Sequence, residues 1–130
     1  MTTDYGISKT VSLSYEKAIE KVTEELQKEG FGVLTTIDVK ETLKKKLDVD
    51  FQKYIILGAC NPPFAHKALL AEEQIGLLLP CNVIIYEKEG KTVVAAFDPM
   101  TMVTMVKNQA LQAVAEEVGR KLRRVINAVA

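Results

Sequence analysis

Two apolar runs, residues 83–86 and 91–97, flank the tetrad Glu87-Lys88-Glu89-Gly90, and this pairing constrains the chain more than any other feature. A charged turn ending in glycine, which reaches positive φ without steric cost, is the sequence form of an antiparallel hairpin. Downstream lies a long segment in which Leu111, Val114, Val118, Leu122, Val125 and Val129 form one apolar stripe at helical spacing. A chain that ends on a hairpin and such a helix is expected to use the stripe to cover one face of a sheet.

The upstream elements fit the same frame. Residues 5–13 alternate Ile7, Val11 and Leu13 with Ser and Thr and read as a strand. Ser14 then offers a helix cap, Tyr15, Ala18, Ile19, Val22 and Leu26 recur three and four apart, and Gly30 stops the run. Residues 31–37 make a second strand, rich in β-branched side chains. Asp38 and Glu41 imitate a capping box, so residues 39–47 form a short helix with Leu43 and Leu47 inward and Lys44, Lys45 and Lys46 in water. The unbroken apolar run 54–59 reads as a central strand, buried on both faces or on one face and a dimer contact. It ends at Cys60. Asn61-Pro62-Pro63 suits a helix start, which leads into a third short helix over 64–71. Residues 75–79 are too short to assign by periodicity and are expected as a buried connector.

The order is strand, helix, strand, helix, strand, helix, strand, strand, long helix. It lacks the regular alternation of a doubly wound sheet and predicts an α+β fold, a largely antiparallel curved sheet with helices on one face. At 130 residues, with no repeat or linker, the chain is expected to be one domain over 1–130. An apolar sheet face left bare usually becomes a partner interface, so a homodimer through that face is expected.

Composition narrows the functional classes. Seventeen Lys and Arg balance seventeen Asp and Glu, so no global field draws in nucleic acid, an anionic membrane or an acidic partner. No apolar stretch approaches the roughly 20 residues of a membrane span, and the start Met1-Thr2-Thr3-Asp4 lacks secretory character, so the expected location is cytoplasmic. There a structural disulfide between Cys60 and Cys81 is not expected.

Four segments, Gly58-Ala59-Cys60-Asn61-Pro62, Ala65-His66-Lys67-Ala68-Leu69, Leu77-Leu78-Leu79-Pro80-Cys81-Asn82 and Asp98-Pro99, together resemble the bacterial and archaeal family known as domain of unknown function 302. The resemblance runs from Tyr5 through the last helix. It implies a fold like that of half a TATA-box-binding protein, β-α-β(4)-α with extra short helices, usually dimeric, and it brings no established activity. Likeness of architecture to a DNA-binding protein does not carry function.

The candidate site is a thiol or metal site of Cys60, His66 and Cys81. Cys60 ends a strand just before a helix amino terminus, where backbone N–H groups and the dipole favour a thiolate. His66 lies in the same short helix, and Cys81 follows a proline at a strand entry, so the three are candidates to meet at one end of the sheet. Two sulfurs and an imidazole suit zinc or copper with a fourth ligand missing. The competing reading is two core thiols and a helix-capping histidine. For a Cys60–His66 catalytic pair, Asp98 or Glu72 is the candidate orienting group. Met100, Met102 and Met105 offer either soft ligands or plastic packing, and Arg120, Lys121, Arg123 and Arg124 are expected to favour the negative end of the last helix. No Gly-rich phosphate loop, metalloprotease helix or paired-carboxylate spacing is present. The working expectation is a dimeric binding or assembly module without catalysis and with no cofactor; the alternative is redox, sulfur-transfer or metal-handling chemistry on Cys60, Cys81 and His66.

Overall fold

The computed structural model describes residues 4–130. Five strands, β1 (Gly6–Val11), β2 (Gly32–Asp38), β3 (Tyr54–Cys60), β4 (Cys81–Lys88) and β5 (Lys91–Phe97), form one antiparallel sheet in the order β1-β5-β4-β3-β2. The five helices are α1 (Tyr15–Lys28), α2 (Val39–Leu47), α3 (Pro62–Ala71), α4 (Met100–Met105) and α5 (Gln109–Ala128), with a 3₁₀ segment Glu73–Leu78. The expected α+β architecture is present, and the sheet remains open at β1 and β2.

Local chemistry accounts for the element ends. Ser14 accepts the Lys17 N–H at the start of α1, and at its end Gly30 (φ +88°) donates to the Gln27 carbonyl while Phe31 donates to Leu26. That is the glycine-terminated Schellman arrangement, which satisfies two carbonyls left open by the helix. Asp38 caps α2 by accepting the Glu41 N–H. The hairpin turns at Glu89 and Gly90, both with positive φ, as the twist of paired strands demands. Asn108 accepts from the Ala110 and Leu111 N–H groups to start α5 and donates to the Ala71 carbonyl, tying α5 to the end of α3.

Strand alternation sorts side chains to two faces. The inner face carries Leu57 and Ala59 of β3, Cys81, Val83 and Ile85 of β4, and Val94 and Ala96 of β5. Against it lie Ala18, Val22 and Leu26 of α1 and Val118, Leu122, Val125 and Ile126 of α5, most of them fully buried. Lys9 ties the edge strand β1 to this layer by donating to the Asn127 and Val129 carbonyls at the end of α5. A cation there meets the negative end of the helix dipole.

Several expectations change in detail. The strand β3 lies inside the sheet, as expected, though one place off its middle, which β4 occupies. Leu47 is exposed rather than inward, because α2 buries no side chain. The segment 75–79 splits, Ile75 being buried while Leu77 is 82% exposed, since the tight 3₁₀ turn sends them to opposite sides. The basic residues of α5 lie ahead of its last turn and pair with carboxylates instead of capping it: Arg123 with Asp98, Arg124 with Glu29, Arg120 with Glu117. No described helix is long and apolar enough to cross a membrane.

Candidate functional site

Two surfaces stand out, one on each side of the sheet. The first is a cleft of about 360 Å³ where the ends of β2 and β3, α3, the 3₁₀ segment and α5 converge. Its walls include Phe31, Cys60, Phe64, Cys81, Met102 and Val118, and none of its lining residues is charged. Small side chains at Ala65 and Ala68 of α3 and Ala115 of α5, all in the lining, leave this space between packed elements.

Both cysteines belong to the cleft. Cys81 pairs across the sheet with Ala59, the neighbour of Cys60, which places the two thiols on adjoining strands. Burial, and secondarily the nearby Cys60, pushes the Cys81 thiol up to about 11, so it is protonated at neutral pH. Cys60 is only half-buried. Asn61 follows it in the N-cap position of α3 without capping that helix; its buried amide donates instead to the Glu29 carbonyl at 3.1 Å, anchoring the start of α3 to the turn after α1.

His66 is exposed on α3 and does not line the cleft. The structure therefore brings Cys60 and Cys81 together and leaves the imidazole outside. Among the described residues no group of three or more His, Cys, Asp and Glu is arranged to hold a metal ion. Of the orienting candidates, Asp98 accepts from the Met100 N–H and pairs with Arg123, and neither it nor Glu72 lines the cleft. The methionines divide: Met102 is buried in the cleft wall and Met105 is exposed.

The contributions of Phe31, Phe64 and Ala115 were not singled out by sequence reasoning. The usable signal was small residues on two helices, Ala65 and Ala68 one turn apart on α3 and Ala115 on the stripe of α5, which mark positions where helices leave room.

The second surface is the outer face of the sheet. Register places Ser8, Ala95, Ile84, Ile56 and Ile37 in one row across all five strands, and Thr10, Val93, Tyr86 and Tyr54 in the next. The Tyr54 and Tyr86 rings stack with centroids 5.3 Å apart. Phe97 and Tyr5 lie toward one end, and a shallow concavity of about 590 Å³ runs over the face. Gly58 marks a close approach here: a Cβ would fall 2.0 Å from the Thr35 hydroxyl and 2.9 Å from the Pro80 ring.

Comparison with known proteins yields a family and a fold relative. The chain matches no curated protein. It is similar to the crystal structure of an uncharacterized conserved DUF302 protein from Bacillus stearothermophilus, with a TM-score of 0.92 and 30% identity, over 98% of this chain and 100% of that one. The family model for the domain of unknown function DUF302 matches residues 7–129. With nearly its whole length inside that match, the chain belongs to the DUF302 family.

Proposed function

We propose that this protein is a binding and assembly module without catalysis, and that its outer sheet face pairs with the same face of a second copy. The observation that carries this reading is the row Ala95–Ile84–Ile56–Ile37, apolar across four strands, with Ile37 exposed and the other three only half-buried. Strands of six to eight residues, five abreast, give a face on the order of 24 by 24 Å, comparable with the roughly 800 Å² per partner of a stable interface. A net charge of zero means that two copies do not repel at long range. The rim is polar, with Lys88, Gln52, Ser8 and Thr10 around the apolar centre, as interfaces require. Ile84→Lys places two ammonium groups at the centre of the paired faces. It is expected to halve the mass in solution while leaving the fold intact, and Leu70→Lys on α3 is expected to change nothing. A mass unaffected by Ile84→Lys contradicts the reading.

A second reading, thiol chemistry, is favoured by the meeting of Cys60 and Cys81 in one cleft. With Cys81 held protonated by burial, Cys60 is the thiol on which such chemistry would fall. His66 contributes nothing to it from an exposed position, and zinc or copper would have to be held by the two sulfurs with ligands from elsewhere. Iodoacetamide alkylation followed by mass spectrometry separates the residues. Fast modification of Cys60 alone below pH 8 supports the reading, and equal, slow modification of both contradicts it.

A further inference from the structure

We propose that the cleft is a binding site for a small amphipathic acid, its apolar and mainly aromatic body seated within and its anionic group held by Lys67 at the side of Phe64. A volume of about 360 Å³ lies at the small end of ligand sites, which run from about 300 to 1,000 Å³. The interior excludes ions: no charged residue lines it, and the amide of Asn61 already serves the Glu29 carbonyl. Phe31, Phe64, Met102, Cys60 and Cys81 make the walls polarisable, which favours an aromatic body over an aliphatic one. The apolar lining also continues outward, since Leu34 and Leu69 belong to it yet are exposed. Apolar surface continuous with a cavity marks a binding groove.

The charge preference comes from Phe64. Its ring lines the cleft, with the Lys67 ammonium 5.4 Å and the Lys121 ammonium 5.8 Å from its centroid. Lys121 is answered by Glu29 at 3.8 Å, whereas Lys67 makes no ion pair among the described residues. A cation beside an otherwise uncharged cleft selects a ligand that is apolar in body and acidic at one end. The cleft shares no lining residue with the concavity over the outer rows of the sheet, so this inference is tested apart from the assembly proposed above.

Two fluorescent probes of one aromatic body test it: neutral N-phenyl-1-naphthylamine and the sulfonate 1-anilinonaphthalene-8-sulfonate. Both are expected to saturate a single site per chain, the sulfonate about two- to fivefold tighter at low salt, the worth of one exposed charge contact. Lys67→Glu is expected to remove that preference and leave the neutral probe unchanged, and Ala65→Trp, which fills the cleft, to weaken both at least about tenfold. In the unaltered protein, either probe is expected to slow alkylation of Cys60, a readout that stands even if Ala65→Trp fails to fold. Absence of saturable binding, a sulfonate preference that survives Lys67→Glu, Cys60 alkylation indifferent to the probes, or loss of binding in Ile84→Lys instead would each overturn the proposal.

Discussion

Within β4, Val83 and Ile85 are wholly buried while Ile84 and Tyr86 between and beyond them are only half-buried, although all four are large and apolar. The inner pair belongs to the core under α1 and α5; the outer pair lines the open concavity over the sheet. A strand facing a core on one side and water on the other normally alternates apolar with polar residues, and a strand apolar on both sides normally has cover on both. β4 has the sequence of the second kind and the cover of the first. On that difference rests the proposed pairing of outer faces.

The sharpest way to break this comparison is to truncate neighbours on opposite faces. Ile85→Ala is expected to cost about 2–5 kcal/mol in chemical denaturation, since it opens a cavity under both helices. Ile84→Ala, measured under dilute conditions where copies are apart, is expected to cost less than about 1 kcal/mol. At high concentration its cost grows by whatever the second copy contributes. Equal costs at every concentration would erase the distinction between the faces.

Gly58→Ala tests the close approach on the outer face. Its methyl must displace the Thr35 hydroxyl and the Pro80 ring, and a loss of about 1–3 kcal/mol in thermal or urea unfolding is expected. Thr35→Ala in the same chain should restore part of it. Asn61→Ala probes the cleft side, leaving the Glu29 carbonyl without its donor at the mouth of α3; about 1–2 kcal/mol is expected to be lost.

The smallest effect concerns pH. Arg124 donates two hydrogen bonds to Glu29, and together with Lys121 it holds that carboxyl below its ordinary value of 4.5. Because the folded-state value is depressed, the contribution is present above pH 4.5 and is lost as pH falls through the lowered value. Arg124→Ala is expected to flatten acid unfolding profiles in that range and to leave stability at pH 7 almost unchanged, as an exposed pair in water is weak.

Much of the fold was legible because its signals are local. Ser14, Asp38 and Gly90 each act on neighbours within three residues, so caps and turn followed from spacing alone, and α2 has the predicted bounds. Leu47 and Leu77 misled because an apolar residue on a short surface element need not find a core. The candidate site was half legible. That Cys60 ends a strand and Cys81 begins one could be read, whereas their sharing one cleft depends on how α3 and the 3₁₀ segment fold over the strand ends. The outward direction of His66 depends on how α3 lies against α5, a long-range packing fact no spacing reports. The walls drawn from Phe31 and Ala115, far apart in the chain, are of the same kind.

Sedimentation equilibrium of the unaltered protein, at tens of micromolar and near neutral pH, tests the pairing of outer faces most directly. A mass of twice the 14.4 kDa chain, falling toward one chain on dilution, is what this account predicts. A species of 14.4 kDa throughout that range would contradict it.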